Sequence, residues 1–326
     1  MELRNSRILV TGGCGLIGST TIDHLLRDHA PKEIIVLDDM SRGRVQNLQA
    51  HLHDPRLRVV EGDIGDADLV QRLTAQADGV LHLAALRITA CAADPRATFE
   101  VMARGSFNVV EAAQQCKVQK LVAASSASIY GLAESFPTDE AHHPYANRTW
   151  YGACKSFLEG MMRSFHDMHG LDYIGLRYFN VYGPRMDVHG KYTEVLIRWM
   201  ERIAAGQPPL ILGDGSTSMD FIYIDDVARA NIAALRSDVC DEIFNIASGE
   251  ETSLLALADQ LSASMHSHLA PVFGPERQVN PVSRRLASTL KAKQMLGFEA
   301  QTDLATGLRQ LVEWWRAQVA SELVHA

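Results

Sequence analysis

Ile8-Leu9-Val10-Thr11-Gly12-Gly13-Cys14-Gly15-Leu16-Ile17-Gly18 is an apolar, β-rich run that breaks into clustered glycines. The continuation Thr20-Thr21-Ile22-Asp23-His24-Leu25-Leu26 has helical character, so the whole reads as strand, tight turn, helix. Gly12 and Gly15 allow the backbone to turn and to approach a pyrophosphate with no Cβ in the way. Gly18 allows the new helix to lie close on the sheet. The free N–H groups and dipole of a helix N-terminus then favour the anion. A second apolar run, Glu33-Ile34-Ile35-Val36-Leu37, ends in Asp38, about twenty residues further on, where a dinucleotide fold places the acid that binds the adenosine ribose.

Working outward, Arg56–Ile64, Gly79–Ala85 and Leu121–Ser126 are further buried-strand candidates alternating with helices. The pattern predicts an α/β fold: a Rossmann-type doubly wound parallel sheet. Ligands in such sheets bind off the carboxyl ends of the strands, which places Asp63 near an adenine and Leu83-Ala84-Ala85 near the middle of the dinucleotide. Helices are expected from about Arg96 to Cys116 and from about Ala153 to Met168. On the second, Phe157, Met161, Phe165 and Met168 share an apolar arc with Leu158 and Met162. That arc is wider than one sheet-packing stripe needs and predicts contact with a second subunit.

The chain has 326 residues, 47% of them hydrophobic, and a mean hydropathy of −0.06, values of a globular protein with no membrane-spanning run. The first strand follows directly on Met1–Arg7, so no signal segment and a cytoplasmic location are expected. A formal charge of −8 and the lack of a basic stripe argue against nucleic acid as partner. The five cysteines are scattered and lack CxxC spacing, and His142-His143 has no completing ligand set; neither a disulfide framework nor a metal site is expected.

Chemistry is expected at Tyr151-Gly152-Ala153-Cys154-Lys155. Residues four apart near a helix start share a face, so the Lys155 ammonium can approach the Tyr151 phenol and a bound cofactor. Bringing a tyrosine from ~10 to about 7 takes roughly 4 kcal/mol of preferential phenolate stabilisation. Lys155 and the positive ring of an oxidised nicotinamide would supply it, making Tyr151 a general base. A proton-sharing hydroxyl would come from Ser125-Ser126-Ala127-Ser128-Ile129-Tyr130-Gly131.

With these pieces and with Arg177-Tyr178-Phe179-Asn180-Val181-Tyr182-Gly183-Pro184-Arg185 and Gly213-Asp214-Gly215, the chain resembles the extended short-chain dehydrogenase/reductases from about Ser6 to Trp315. The branch is that of nucleotide-sugar epimerases and dehydratases. The resemblance implies a Rossmann domain over residues 1–180, rejoined by about 219–247, and a smaller α/β nucleotide-sugar lobe over 181–326. It implies Ser126, Tyr151 and Lys155 as catalytic residues and NAD as cofactor. Cofactor contacts would come from Gly12, Gly15, Leu16, Ile17, Gly18, Asp38, Asp39, Ser41, Arg42, Asp63, Ile64, Leu83, Ala84, Ala85, Arg87, Ala124, Tyr151, Lys155 and Tyr178. Substrate contacts would come from Ser126, Ser128, Asn180, Arg185, His189, Lys191, Ile211 and Arg285. A UDP-linked sugar and a homodimer are the implied partners. Asp38 favours NAD over NADP, although Arg42 and Arg44 follow closely.

Dehydratases of the family carry an Asp-Glu pair after the catalytic hydroxyl, and decarboxylases usually a Glu. Here Ala127 and Ser128 stand there, which favours a 4-epimerase working through a 4-keto sugar. Dehydration or decarboxylation from the same intermediate, and a non-catalytic NAD-binding protein, are the alternatives. Three departures stand out. Met219 replaces an Arg that contacts the substrate diphosphate in many relatives, with Arg185, Lys191, Arg284 and, foremost, Arg285 as substitutes. Met102 replaces an Asn. The run Met186–Tyr192 resembles an insertion where the sugar should lie. Asp225-Asp226 are expected to open a helix as cap and dipole partners, and two tryptophans near Trp315 to anchor the lobes.

Overall fold

The computed structural model describes residues 1–188, 194–276 and 282–325. Its strands are β1 (Arg7–Thr11), β2 (Glu33–Asp38), β3 (Leu57–Glu61), β4 (Gly79–His82), β5 (Lys120–Ser126), β6 (Tyr173–Tyr178), β7 (Asn180–Tyr182), β8 (Leu210–Leu212), β9 (Ser218–Tyr223), β10 (Glu242–Ile246), β11 (Glu251–Ser253) and β12 (Val272–Gly274). Its helices are α1 (Leu16–Asp28), α2 (Ala67–Thr74), α3 (Ile88–Ala93), α4 (Pro95–Thr98), α5 (Ser106–Gln115), α6 (Trp150–His169), α7 (Val195–Ala204), α8 (Ile224–Arg236), α9 (Leu254–Ser264), α10 (Leu290–Leu296) and α11 (Leu304–His325).

Alternate residues of the central strands point to opposite faces, and both faces are covered. Ile8, Val10, Ile34 and Val36 join a core with α1 and α8, while Leu9, Ile35 and Leu37 join another with α2, α5 and α6. The result is a seven-stranded parallel sheet in the order β10-β6-β5-β4-β1-β2-β3. β1 pairs with β2 on one side and β4 on the other, so the strand order reverses beside it and opens a crevice at its carboxyl end. A second sheet, β11-β9-β7, and the parallel pair β12-β8 build the smaller part of the molecule. Buried Asp220 of β9 joins the parts: its carboxylate accepts from Ser248 N, Ser248 Oγ and Gly249 N at 2.7–2.9 Å, while its carbonyl accepts from Asn180 Nδ2 at 2.9 Å.

Several local expectations change. The helix read from about Arg96 to Cys116 is α4, a π-helical turn over Phe99–Gly105, and α5. The turn carries Met102, whose Sδ accepts from Leu86 N at 3.2 Å. α6 starts three residues earlier than read, because Thr149 Oγ1 accepts from Gly152 N at 3.0 Å and caps it. Asp225 and Asp226 lie in the first turn of α8 but do not cap it. Asp225 pairs with His24, and buried Asp226 accepts from Gln301 N and Thr302 N. Trp315 is buried, on a helix that packs against α9 and β9. Among the described residues no helix is long and apolar enough to cross a membrane.

Candidate active site

The glycine turn is shaped by contacts that exclude side chains. Gly12 adopts φ +70°, and a Cβ there would lie 2.7 Å from Ala84 N. A Cβ on Gly18 would lie 2.4 Å from Gly12 O. Gly13, whose role the sequence did not reveal, would press a Cβ to 2.7 Å from Val36 Cγ1. α1 then starts after Gly15 with no side-chain cap, leaving first-turn N–H groups by Leu16 and Ile17 for an anion. Buried Asp38 accepts from Cys14 N at 2.9 Å and Met40 N at 3.0 Å. Burial raises its carboxyl pKa above the ordinary value, against those two N–H donors. Its carboxylate retains lone pairs for ribose hydroxyls. Asp39 folds back on Ser41 N and Oγ, Asp63 accepts from Gly65 N, and Ile64 is buried behind it. Leu83 N and Ala84 N bond Thr11 O and Oγ1, setting Leu83-Ala84-Ala85 along the crevice. This donor set and the space the glycines keep open fit a dinucleotide.

Ser126 ends β5. Its Oγ accepts from Ser128 N at 3.1 Å, and its hydroxyl acts on the Tyr151 phenol in the direction that favours the phenolate. Lys155 Nζ donates to Ala124 O at 2.6 Å and lies 5.8 Å from the centroid of the Tyr151 ring. Burial pulls the Lys155 pKa down to about 8. It also pushes the Tyr151 phenol up, against the influence of the Ser126 hydroxyl and the charges of Arg285 and Arg42. The chain alone therefore raises the tyrosine pKa instead of bringing it near neutrality. Tyr178 is buried, with its hydroxyl on Asn231 Oδ1 at 2.6 Å. Arg87 pairs with Glu194 at 2.7 Å, and both Arg87 and Arg42 lie 3.9 Å from Asp187.

Two substrate candidates are displaced. Arg185 pairs with Asp23 of α1 at 2.7 Å, which commits its charge there. Ile211 is fully buried, because alternation along the short strand β8 turns it into the core and leaves its neighbour Leu212 exposed. Opposite Ile211, β12 brings the exposed ring of Phe273, which no local pattern had marked. Arg284 is engaged with Glu251 and the Phe136 ring, whereas the Arg285 charge reaches Tyr151. Asn180 faces Asp220, and Ser128 is buried. His189 and Lys191 lie outside the described residues. Glu194 enters the site through Arg87, a pairing across the fold with no local sequence signal.

The model of the NAD dependent epimerase/dehydratase family matches residues 8–247. The chain belongs to that family. Within it, a UDP-glucose 4-epimerase of Mycolicibacterium smegmatis is 35% identical over 314 residues, covering 95% of this chain and 98% of that protein. A dTDP-glucose 4,6-dehydratase of Streptomyces niveus is 31% identical over 317 residues, covering 95% and 93%. Among solved structures, the UDP-N-acetylglucosamine 4-epimerase of Methanobrevibacter ruminantium in complex with UDP-N-acetylmuramic acid superposes with a TM-score of 0.91. It is 31% identical, with 97% of this chain and 99% of that one covered. Epimerases and a dehydratase of the epimerase/dehydratase family thus stand at comparable identity, and the reacting residues must separate them.

Proposed function

We propose that the chain is an NAD-dependent nucleotide-sugar 4-epimerase acting on a UDP-linked hexose, N-acetylhexosamine or hexuronate through a transient 4-keto sugar. The observation that carries this reading is the pair after Ser126. Ala127 and Ser128 are both buried and neither is a strong acid or base, whereas elimination of water needs both beside C5 and C6. In this reading Tyr151 takes the proton of the C4 hydroxyl and Ser126 shares it. Lys155 holds the Ala124 carbonyl and places its charge beside the tyrosine ring. NAD, when bound, supplies the acceptor and donor of hydride at C4. Asp38 takes the ribose hydroxyls and the first turn of α1 the pyrophosphate. Arg285 takes the substrate diphosphate in place of the Arg missing at Met219, and the exposed ring of Phe273 offers an apolar surface to the nucleobase. The relatives' names support UDP as carrier. The exposed Phe157 and Met168 of α6, with Phe99 and Phe107 beside them in sequence-adjacent helices, support a homodimer through this helix pair.

The test is incubation of purified protein and NAD with UDP-glucose, UDP-N-acetylglucosamine and UDP-glucuronate, read by mass spectrometry and proton NMR. The expected product has unchanged mass and inverted C4. Loss of water or carbon dioxide would overturn the reading.

A further inference from the structure

We infer that Glu159 is a positioning residue whose carboxylate, locked by Arg177 and Ser125, keeps the neighbouring Lys155 side chain in its ammonium form. The inference rests on the reading of Lys155 as the charged partner of Tyr151. Glu159 follows Lys155 by four positions on α6 and so shares its face. Its Oε1 accepts from Ser125 Oγ at 2.5 Å and Arg177 Nε at 2.8 Å, and its Oε2 from Arg177 Nη2 at 2.6 Å. Arg177 is held in turn by the Tyr130 hydroxyl at 2.8 Å and by Glu140 O at 3.1 Å. This carboxylate cannot swing away, and the network fixes it beside the strand that ends in Ser126.

The other groups around Lys155 are neutral at pH 7. β5 contributes the Ala124 carbonyl. β4 contributes His82, whose burial pulls its pKa down to about 3. Cys91 of α3 and Cys154 of α6 have thiol pKa values pushed up by burial, and so does the Tyr151 phenol. Burial pulls Lys155 toward the neutral amine, and Cys91, Cys154 and then Glu159 oppose it; of these three the Glu159 carboxylate is the one that is charged at pH 7. Glu159→Gln removes that anion and leaves the Arg177 charge unbalanced. Both effects favour the uncharged lysine.

The experiment compares wild type, Glu159→Gln, Glu159→Asp and Ser125→Ala as NAD-loaded proteins. Two readouts are taken: the pH profile of kcat/KM, and the titration of the Lys155 13Cε resonance, assigned by its loss in Lys155→Arg. Glu159→Gln should move both the alkaline limb and the lysine titration to lower pH by a resolvable few tenths of a unit or more, in the same direction. Glu159→Asp keeps the charge and should hold both closer to wild type than Glu159→Gln does. Ser125→Ala removes a hydrogen bond but no charge and should also leave both in place. A uniform loss of activity in Glu159→Gln with unmoved titrations, or equal shifts in Ser125→Ala, would overturn the inference. Because the NMR titration needs no turnover, a wild type that fails to epimerise any sugar would count against the proposed function alone.

Discussion

Tyr151 sits where burial keeps its phenol protonated and three cations approach from different elements, Lys155 from its own helix and Arg42 and Arg285 from loops. Tyr151→Phe should lower kcat by about 10²–10⁴-fold, a loss far larger than any weakening of NAD binding seen by equilibrium dialysis. His82 makes a second residue-scale prediction. It bridges Thr11 Oγ1 at 2.8 Å and Ser106 Oγ at 3.0 Å, and its folded pKa of about 3 lies below the unfolded value of ~6.5. The unfolded chain thus binds the proton first. The His82 contribution is complete above pH ~6.5 and drains away as pH falls toward 3. Unfolding free energies from urea titrations between pH 7 and 4 should fall more steeply for wild type than for His82→Asn, by up to ~1.4 kcal/mol per pH unit. Tyr151 and Lys155 were legible because spacing of four on a helix fixes a shared face. Their pKa values were not, since desolvation depends on side chains such as Cys91 that arrive from another helix.

At the scale of elements, the turn from β1 into α1 could be read largely from its spacing, because Gly15 and Gly18 answer to the backbone of Gly12 and Gly13 within the same turn, whereas the contacts of Gly12 with Ala84 and of Gly13 with Val36 come from other segments. Gly18→Ala would drive a Cβ onto Gly12 O at 2.4 Å. The variant should lose about 1–3 kcal/mol of stability in thermal melts and bind NAD about tenfold more weakly in titration calorimetry. Short elements were harder. The three residues of β8 alternate inward and outward, and nothing local says whether Ile211 or Leu212 faces the crevice; the pairing with β12 decides it. The π-helical turn at Phe99–Gly105 was also hidden, since its composition is that of an ordinary helix. α6 divides its broad apolar arc: Leu158, Met161 and Met162 pack inward, and Phe157 and Met168 stay exposed. If the proposed homodimer forms through this face, wild type should scatter at twice 35.9 kDa and Phe157→Glu at 35.9 kDa, and a wild type already at 35.9 kDa would overturn the proposal.

For the whole molecule, the seven-stranded sheet followed from alternating strands and helices, while the joining of its parts through Asp220 depended on pairings between separate segments. The sheet also has an awkward order of arrival. Its far edge strand, β10, begins at Glu242, yet its neighbour β6 ends at Tyr178, with β7, β8, β9 and helices α7 and α8 made between them. On a ribosome adding about 5–20 residues per second, β6 waits roughly 3–13 s with one edge unpaired. During that interval the glycine turn, Asp38, Ser126, Tyr151 and Lys155 have all been synthesised. The nascent chain thus carries its phosphate-binding turn before the sheet behind it is finished, and its open strand is a natural place for a chaperone to hold.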